Sequence, residues 1–455
     1  MFPTRALVAL LLTFALFPAI AGKQAQVSVA PQTDSMLPVK HIVICVDGVG
    51  YSTIEKMRAE GKFQYFRQPA RMIAPFPTLT NVAMTEILET AGAKEAAGYE
   101  DNFYDADKNR MRGGLLDRFN NQRFIKGTFR ELFDYHPSAI KSGLGYALPP
   151  LSAYLEALTD LVRLKQKISS SRDTVFFAYL GSTDSLSHLG GERMVRSFLS
   201  LLDDDLKDIV REGKGQVQVT IFSDHGNHYR GYKRVSLKSP LRRAGFRVEN
   251  RLRGERSIVI PQFGLIGCAL LFTKEENEAR LAQVSAQLRG VDFAVYEKDA
   301  VVHVAGRDGL AMIERRADKF RYQTLSGDPL GLRNEVANFR WQGKADADGF
   351  VADSDWFAAT RDGTRPDVVR RVFQGATEHV RNRANVILSF EDGFYYGSYP
   401  LDLLTFLQAT HGNAMREQSY GFVMTTGSEL PAYLRAGEMW KAVGEPALRK
   451  AHTHH

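Results

Sequence analysis

Three apolar, β-branched runs in this chain stop abruptly in acids and imidazoles. His41–Val46 (HIVICV) runs into Asp47-Gly48-Val49-Gly50, residues 174–180 (TVFFAYL) run into GSTDSLSHLGG, and residues 216–223 (QVQVTIFS) run into Asp224-His225-Gly226-Asn227-His228. Near-continuous apolar runs of this length suit strands buried on both faces. Such strands need covering helices, and helical periodicity stands between them. YSTIEKMRAEG ends near Gly61, and GERMVRSFLSLLDDDLKDIVREG stops at Gly213. Residues 384–390 (ANVILSF) read as a late strand of the same kind. The alternation predicts an α/β fold, with a mostly parallel central sheet and helices on both faces. In such sheets ligands bind beyond the carboxyl ends of the strands, which is where these acids and imidazoles stand.

Each polar end also has a structural explanation when taken alone. Asp47-Gly48 fits a turn or a helix N-cap. Asp184 and His188 lie four apart, so on a helix they face the same way, as two ligands of one ion would. They equally fit a capping acid with a surface histidine. Asp224 and His225 are adjacent and share no helix face, but at a turn both can converge, and Gly226 permits close backbone approach. The alternative there is a capping acid beside a structural histidine. His411, in LQATHGNAMREQSYG, follows an apolar run, where a lone histidine is more often structural.

The set is more telling than its members. Three strand ends deliver acid and imidazole groups to one edge of one sheet. Three Asp and three His are the inventory for two closely spaced zinc ions, and two metals ~4 Å apart can clamp the attacking and leaving oxygens of an in-line displacement. A nucleophile is available in residues 74–88 (APFPTLTNVAMTEIL). Pro75 and Pro77 hold the chain extended, and Thr80 then opens a helix-like run beside backbone N–H groups suited to a phosphoryl oxygen. An ordinary Thr N-cap is the other reading. A metal beside the hydroxyl would lower its pKa and make it a nucleophile.

The ends of the chain carry different information. Arg5 precedes the apolar residues 6–21 (ALVALLLTFALFPAIA), which close on a small-x-small pattern at Ala19-Ile20-Ala21. Pro18 interrupts the run, which is short for a spanning helix. Residues 1–21 therefore read as a signal peptide, residues 22–38 as a polar leader, and the mature chain as periplasmic or secreted with no transmembrane segment. The catalytic domain is expected over 39–430, with covering insertions at about 113–172 and 300–383, and a tail over 431–455. The tail ends in His452, His454 and His455, which read as a frayed end. The 455-residue chain has a net charge of +7 and two cysteines, Cys45 and Cys268. The charge is scattered, so it attracts anions without implying sequence-specific nucleic-acid binding. The cysteines sit in apolar runs, either paired or as buried free thiols.

The ordered set VDGVGYS, FPTLTN, GSTDSLSHLGG, FSDHGNH and ATHGN resembles the alkaline phosphatase superfamily, and most closely its type I phosphodiesterase/nucleotide pyrophosphatase branch, over residues 40–426. The resemblance implies two divalent metal ions, most simply zinc, and a small phosphate-ester substrate. It implies that Asp47, Asp224 and His225 ligate the metal that binds the nucleophile Thr80. It implies that Asp184, His188 and His411 ligate the second metal. GYEDNFYD (residues 98–105) resembles the segment carrying a phosphate-contacting Asn, here Asn102, with the Asn81 backbone N–H on the same oxygen. Two departures stand out. Asn81-Val82-Ala83-Met84 replaces the branch's aromatic and Pro-Asn-His run, which alters the leaving-group pocket, and the Asn102 segment is one residue short. Neither cysteine stands in a sulfatase motif. The function implied is phosphate-ester hydrolysis through a phosphothreonine, by preference on diesters. Phosphomonoester hydrolysis on the same site is the alternative, and a non-catalytic binding protein a more distant one.

Overall fold

The computed structural model describes residues 39–89, 95–113, 129–136, 150–399, 402 and 405–444. The expected signal peptide, the leader and the histidine tail lie outside the described residues, as does much of the stretch 113–172. Among the described residues, no helix is long and apolar enough to cross a membrane.

The three strands that run into acids form the heart of a six-stranded sheet. His41–Val46 lies between Val175–Leu180 and Gln218–Phe222, parallel to both. Every residue of His41–Val46 is buried, as a strand covered on both faces requires. The sheet continues through Tyr420–Thr425, antiparallel to its two neighbours, then Ala70–Ile73 and Tyr433–Arg435. Five of the six strands thus share one direction. Beyond Val175–Leu180, Tyr135 bridges Ala178 in parallel and extends that edge.

A second large sheet changes the picture drawn from sequence. Seven strands, all antiparallel, run in the order Cys268–Leu271, Val386–Phe390, Val291–Lys298, Val301–Gly306, Gly309–Arg316, Lys319–Ser326 and Val351–Ala352. The late strand expected within the parallel sheet belongs here instead, paired with Cys268–Leu271 and Val291–Lys298. A run buried on both faces reads the same in either setting, because burial carries no information on strand direction. The stretch 300–383 supplies the last four strands of this order, out to the edge at Val351–Ala352, and the helices Arg333–Trp341, Asp353–Thr360 and Val368–Thr377. Its core is continuous with the Thr80 segment: Phe76, Leu79 and Val82 pack in one cluster with Phe293, Val369, Val372 and Phe373.

Cys45 and Cys268 are both buried free thiols, one in each large sheet.

Candidate active site

The carboxyl ends of the three parallel strands converge. Asp47 follows Val46, Asp184 lies in the first turn of the helix Ser182–Glu212 after Leu180, and Asp224 follows the strand Gln218–Phe222 by one residue. Gly48 makes the convergence feasible. Its φ is +66°, and a Cβ there would lie 2.6 Å from both Asp184 Oδ1 and Asn227 Nδ2. Its N–H donates to Asp224 Oδ1 at 3.2 Å. The Asp184 helix kinks at Gly191, so its first turns, with Asp184 and His188 on one face, are set apart from the long remainder.

Two groups of donor atoms result, one of Asp47, Asp224 and His225, the other of Asp184, His225 and His411. His225 Nε2 is 3.5 Å from Asp47 Oδ1 and 3.4 Å from Asp224 Oδ2. His411 Nε2 is 3.7 Å from Asp184 Oδ1. The His225 and His411 rings stack at 3.9 Å, which puts His225 between the groups. His188 Nε2 lies 3.3 Å from Asp184 Oδ2, with its ring 5.3 Å from that of His411. The other histidine of the Asp224 turn, His228, faces Asp392 at 3.3 Å instead.

Thr80 opens the helix Thr80–Ile87, but Leu79 is the N-cap, so the Thr80 hydroxyl is not spent on capping. It donates toward Asp47 Oδ1 at 3.4 Å and lies 3.4 Å from His225 Nε2. Asn81 points its amide at the Gly98 carbonyl, 3.4 Å away. Asn102 begins the strand Asn102–Asp105 with an exposed side chain.

The electrostatics of this cluster are those of a site short of positive charge. Burial, then the charges of Asp224 and Asp184, push Asp47 well above the usual carboxylate range. Burial pushes Asp224 up to about 7. Burial also opposes ionisation of Asp184, but the imidazoles of His188 and His411 outweigh it and hold its carboxyl low. Burial, then His225, lowers His411 to about 3. Asp224 Oδ2 is buried without a hydrogen-bond partner. Carboxylate oxygens and imidazole nitrogens at these spacings are a donor set that suits zinc, and a cation would compensate both the orphaned oxygen and the crowded charge.

A pH dependence follows. A carboxyl raised by folding holds a proton that the unfolded chain has already lost, so the metal-free fold loses stability as pH rises from the ordinary carboxylate value through about 7. A cation must displace that proton at any pH below about 7 and meets little competition from it above. The rise in Tm on adding Zn2+ is therefore expected to be larger at about pH 8 than at about pH 5, as scanning calorimetry would read.

Several neighbours carried no sequence signal. Tyr179, inside a strand that reads as plain core, donates its hydroxyl to Asp47 Oδ2. Asn227 Nδ2 donates to Gly48 O at 2.7 Å and Asp184 Oδ1 at 3.3 Å, tying the two groups together. Glu100 is pushed up to about 8 by burial and by the charges of Asp101, Asp184 and Asp47. Arg130 pairs with Asp101 at 3.0 Å, its guanidinium 5.7 Å from the Tyr179 ring. Two basic groups on the approach to the strand Val175–Leu180 stand away from the cluster. Arg172 precedes the strand Val175–Leu180, about 20 Å of strand from the site, and Lys165, on the helix leading to it, pairs with Asp205 at 2.6 Å.

No family model and no curated protein matches the chain. Among solved structures it is similar to murine ectonucleotide pyrophosphatase/phosphodiesterase 5, at 13% identity and a TM-score of 0.46 over 89% of this chain and 94% of that one. It is also similar to phosphonoacetate hydrolase from Sinorhizobium meliloti 1021, at 12% identity and a TM-score of 0.48 over 90% and 96%. The human counterpart of the murine protein matches at 11% and 0.46 over 89% and 93%.

Proposed function

We propose that the chain is an exported metal-dependent phosphohydrolase that cleaves phosphate esters through a covalent phosphothreonine, acting by preference on diesters. The carrying observation is the Thr80 hydroxyl, uncommitted to capping and 3.4 Å from both Asp47 Oδ1 and His225 Nε2, at the lip of a buried acid and imidazole cluster. The motif order that resembles the alkaline phosphatase superfamily points the same way.

Asp47, Asp224 and His225 would hold one divalent cation, most simply zinc, and Asp184, His188 and His411 the other. Bound there, the cations supply positive charge to the attacking and leaving oxygens. The chain does the rest. Thr80 Oγ attacks phosphorus in line, forming the Oγ–P bond as the bond from phosphorus to the leaving oxygen breaks; the Thr80 hydroxyl gives up its proton, and the leaving oxygen takes one up from solvent and departs as the alcohol. Asp47 Oδ1 and His225 Nε2 are the hydroxyl's neighbours within 3.4 Å. Backbone N–H groups at the start of the Thr80 helix and the Asn102 amide meet the equatorial oxygens, work that is mainly electrostatic. Water then cleaves the Oγ–P bond and frees Thr80.

Hydrolysis of p-nitrophenyl phosphate and of its bis-ester, before and after chelation and zinc repletion, tests this reading. Loss and recovery on both esters, with the bis-ester faster, is the expected result. Activity indifferent to the chelator contradicts the metal role, and an inert repleted protein contradicts the hydrolase. The export reading expects the secreted chain to begin at Gly22 by N-terminal sequencing.

One observation favours phosphomonoesters. The Arg130 guanidinium feels the charge of Asp47 as well as its partner Asp101, and a dianionic ester needs such a cation more than a monoanionic one does. On that reading Arg130→Gln should lower kcat/KM about tenfold or more for the monoester and leave the bis-ester nearly unchanged.

A further inference from the structure

Behind the cluster, one residue joins the nucleophile's segment to the segment carrying His411. Thr78 is fully buried. Its Oγ1 accepts from the Gly412 N–H at 2.7 Å and donates to the Asn413 carbonyl at 3.2 Å. Its carbonyl lies 2.7 Å from His411 Nδ1. A carbonyl only accepts, so that contact places the imidazole proton on Nδ1 and leaves the Nε2 lone pair directed at the site. Two residues ahead of the nucleophile, Thr78 thus sets both the loop and the tautomer of a candidate ligand.

The same two segments are held from behind by the helix Val368–Thr377. Arg371 is buried, and its guanidinium donates to the carbonyls of Pro366 at 2.9 Å, Ala414 at 3.3 Å and Pro75 at 3.5 Å. Its Nε has no partner. Among the described residues it makes no ion pair, an expensive state for a buried cation. Pro75 belongs to the nucleophile segment and Ala414 to the His411 segment, so this costly group bridges the two strands of chain that Thr78 joins. One turn on, Gly375 packs so closely that a Cβ would come 2.2 Å from the Phe76 carbonyl oxygen.

We propose that Thr78, braced by Arg371, is a positioning residue for the cation at Asp184 and His411, and that through it the nucleophile segment and that cation's ligand form one mechanical unit. The proposal rests on the metal reading above. Its test is a zinc titration by equilibrium dialysis of the wild type, Thr78→Val and Thr78→Ser, with circular dichroism to confirm folding. The wild type is expected to take up two ions. Thr78→Val should hold one as tightly and the other about 10–100-fold more weakly, and Thr78→Ser, which keeps the hydroxyl, should match the wild type. Undiminished binding in Thr78→Val, equal weakening of both ions, or a serine variant as impaired as valine would each overturn the proposal. Should Thr78→Val not fold, Arg371→Gln replaces it, with the same selective loss expected and the same two results contradicting it. A wild type that binds no zinc fails one step earlier, on the metal reading itself, and overturns both.

Discussion

Thr80→Ala is expected to lower kcat on phosphate esters by about 10³-fold or more while the protein still takes up zinc. The hydroxyl lies 3.4 Å from both Asp47 and His225, which keep their other partners when it is gone. Thr80→Ser should retain a measurable fraction of the rate, since it retains the oxygen. Steady-state kinetics on both nitrophenyl esters with zinc analysis of each variant would decide this. An alanine variant that turns over at the wild-type rate would remove Thr80 from the chemistry.

His225→Ala is expected to have the broadest effect of any single ligand substitution. His225 alone belongs to both donor groups, and its ring stacks on His411. Its removal takes a ligand from the cation at Asp47 and Asp224 and the stacked neighbour from His411, so it should weaken the first cation by more than the roughly 100-fold that losing an outer-shell partner brings and the second by less, and abolish hydrolysis. The substitution also removes a buried ring packed between Asp47, Asp224 and His411, so the metal-free variant should be less stable than the wild type. His188→Ala, at the edge of the Asp184 group, should weaken one ion and spare the other. Isothermal titration with zinc distinguishes the two patterns, and equal losses from both substitutions would contradict the shared placement of His225.

Much of this site was legible because buried strands that end in charged groups violate their own composition. An apolar run can finish in Asp-His only if something repays the burial, and that tension located Asp47, Asp184 and Asp224 before any coordinates. The i, i+4 spacing of Asp184 and His188 likewise survives intact as a 3.3 Å contact. What the sequence concealed are relations set by tertiary packing. Nothing local distinguishes Tyr179 from its core neighbours, yet its hydroxyl bonds Asp47. Residues 384–390 carry the same apolar signature as the parallel strands but pair antiparallel in the other sheet. Residues 300–383 read as a covering insertion with charged loops, because the strands from Val301–Gly306 to Lys319–Ser326 alternate buried with partly or fully exposed side chains and so lack a long continuous apolar run. Arg371, in that same stretch, could not be told from a surface arginine until its carbonyl partners were seen.

The most direct test of a Thr80 phosphothreonine is the stereochemical course at phosphorus. A phosphate ester made chiral with oxygen isotopes, or as a phosphorothioate, would be hydrolysed in isotopically labelled water and the configuration of the product determined. Attack by Thr80 followed by attack of water is two in-line displacements, each inverting the centre, so net retention is expected. Net inversion would show a single displacement by water and would contradict the covalent role of Thr80.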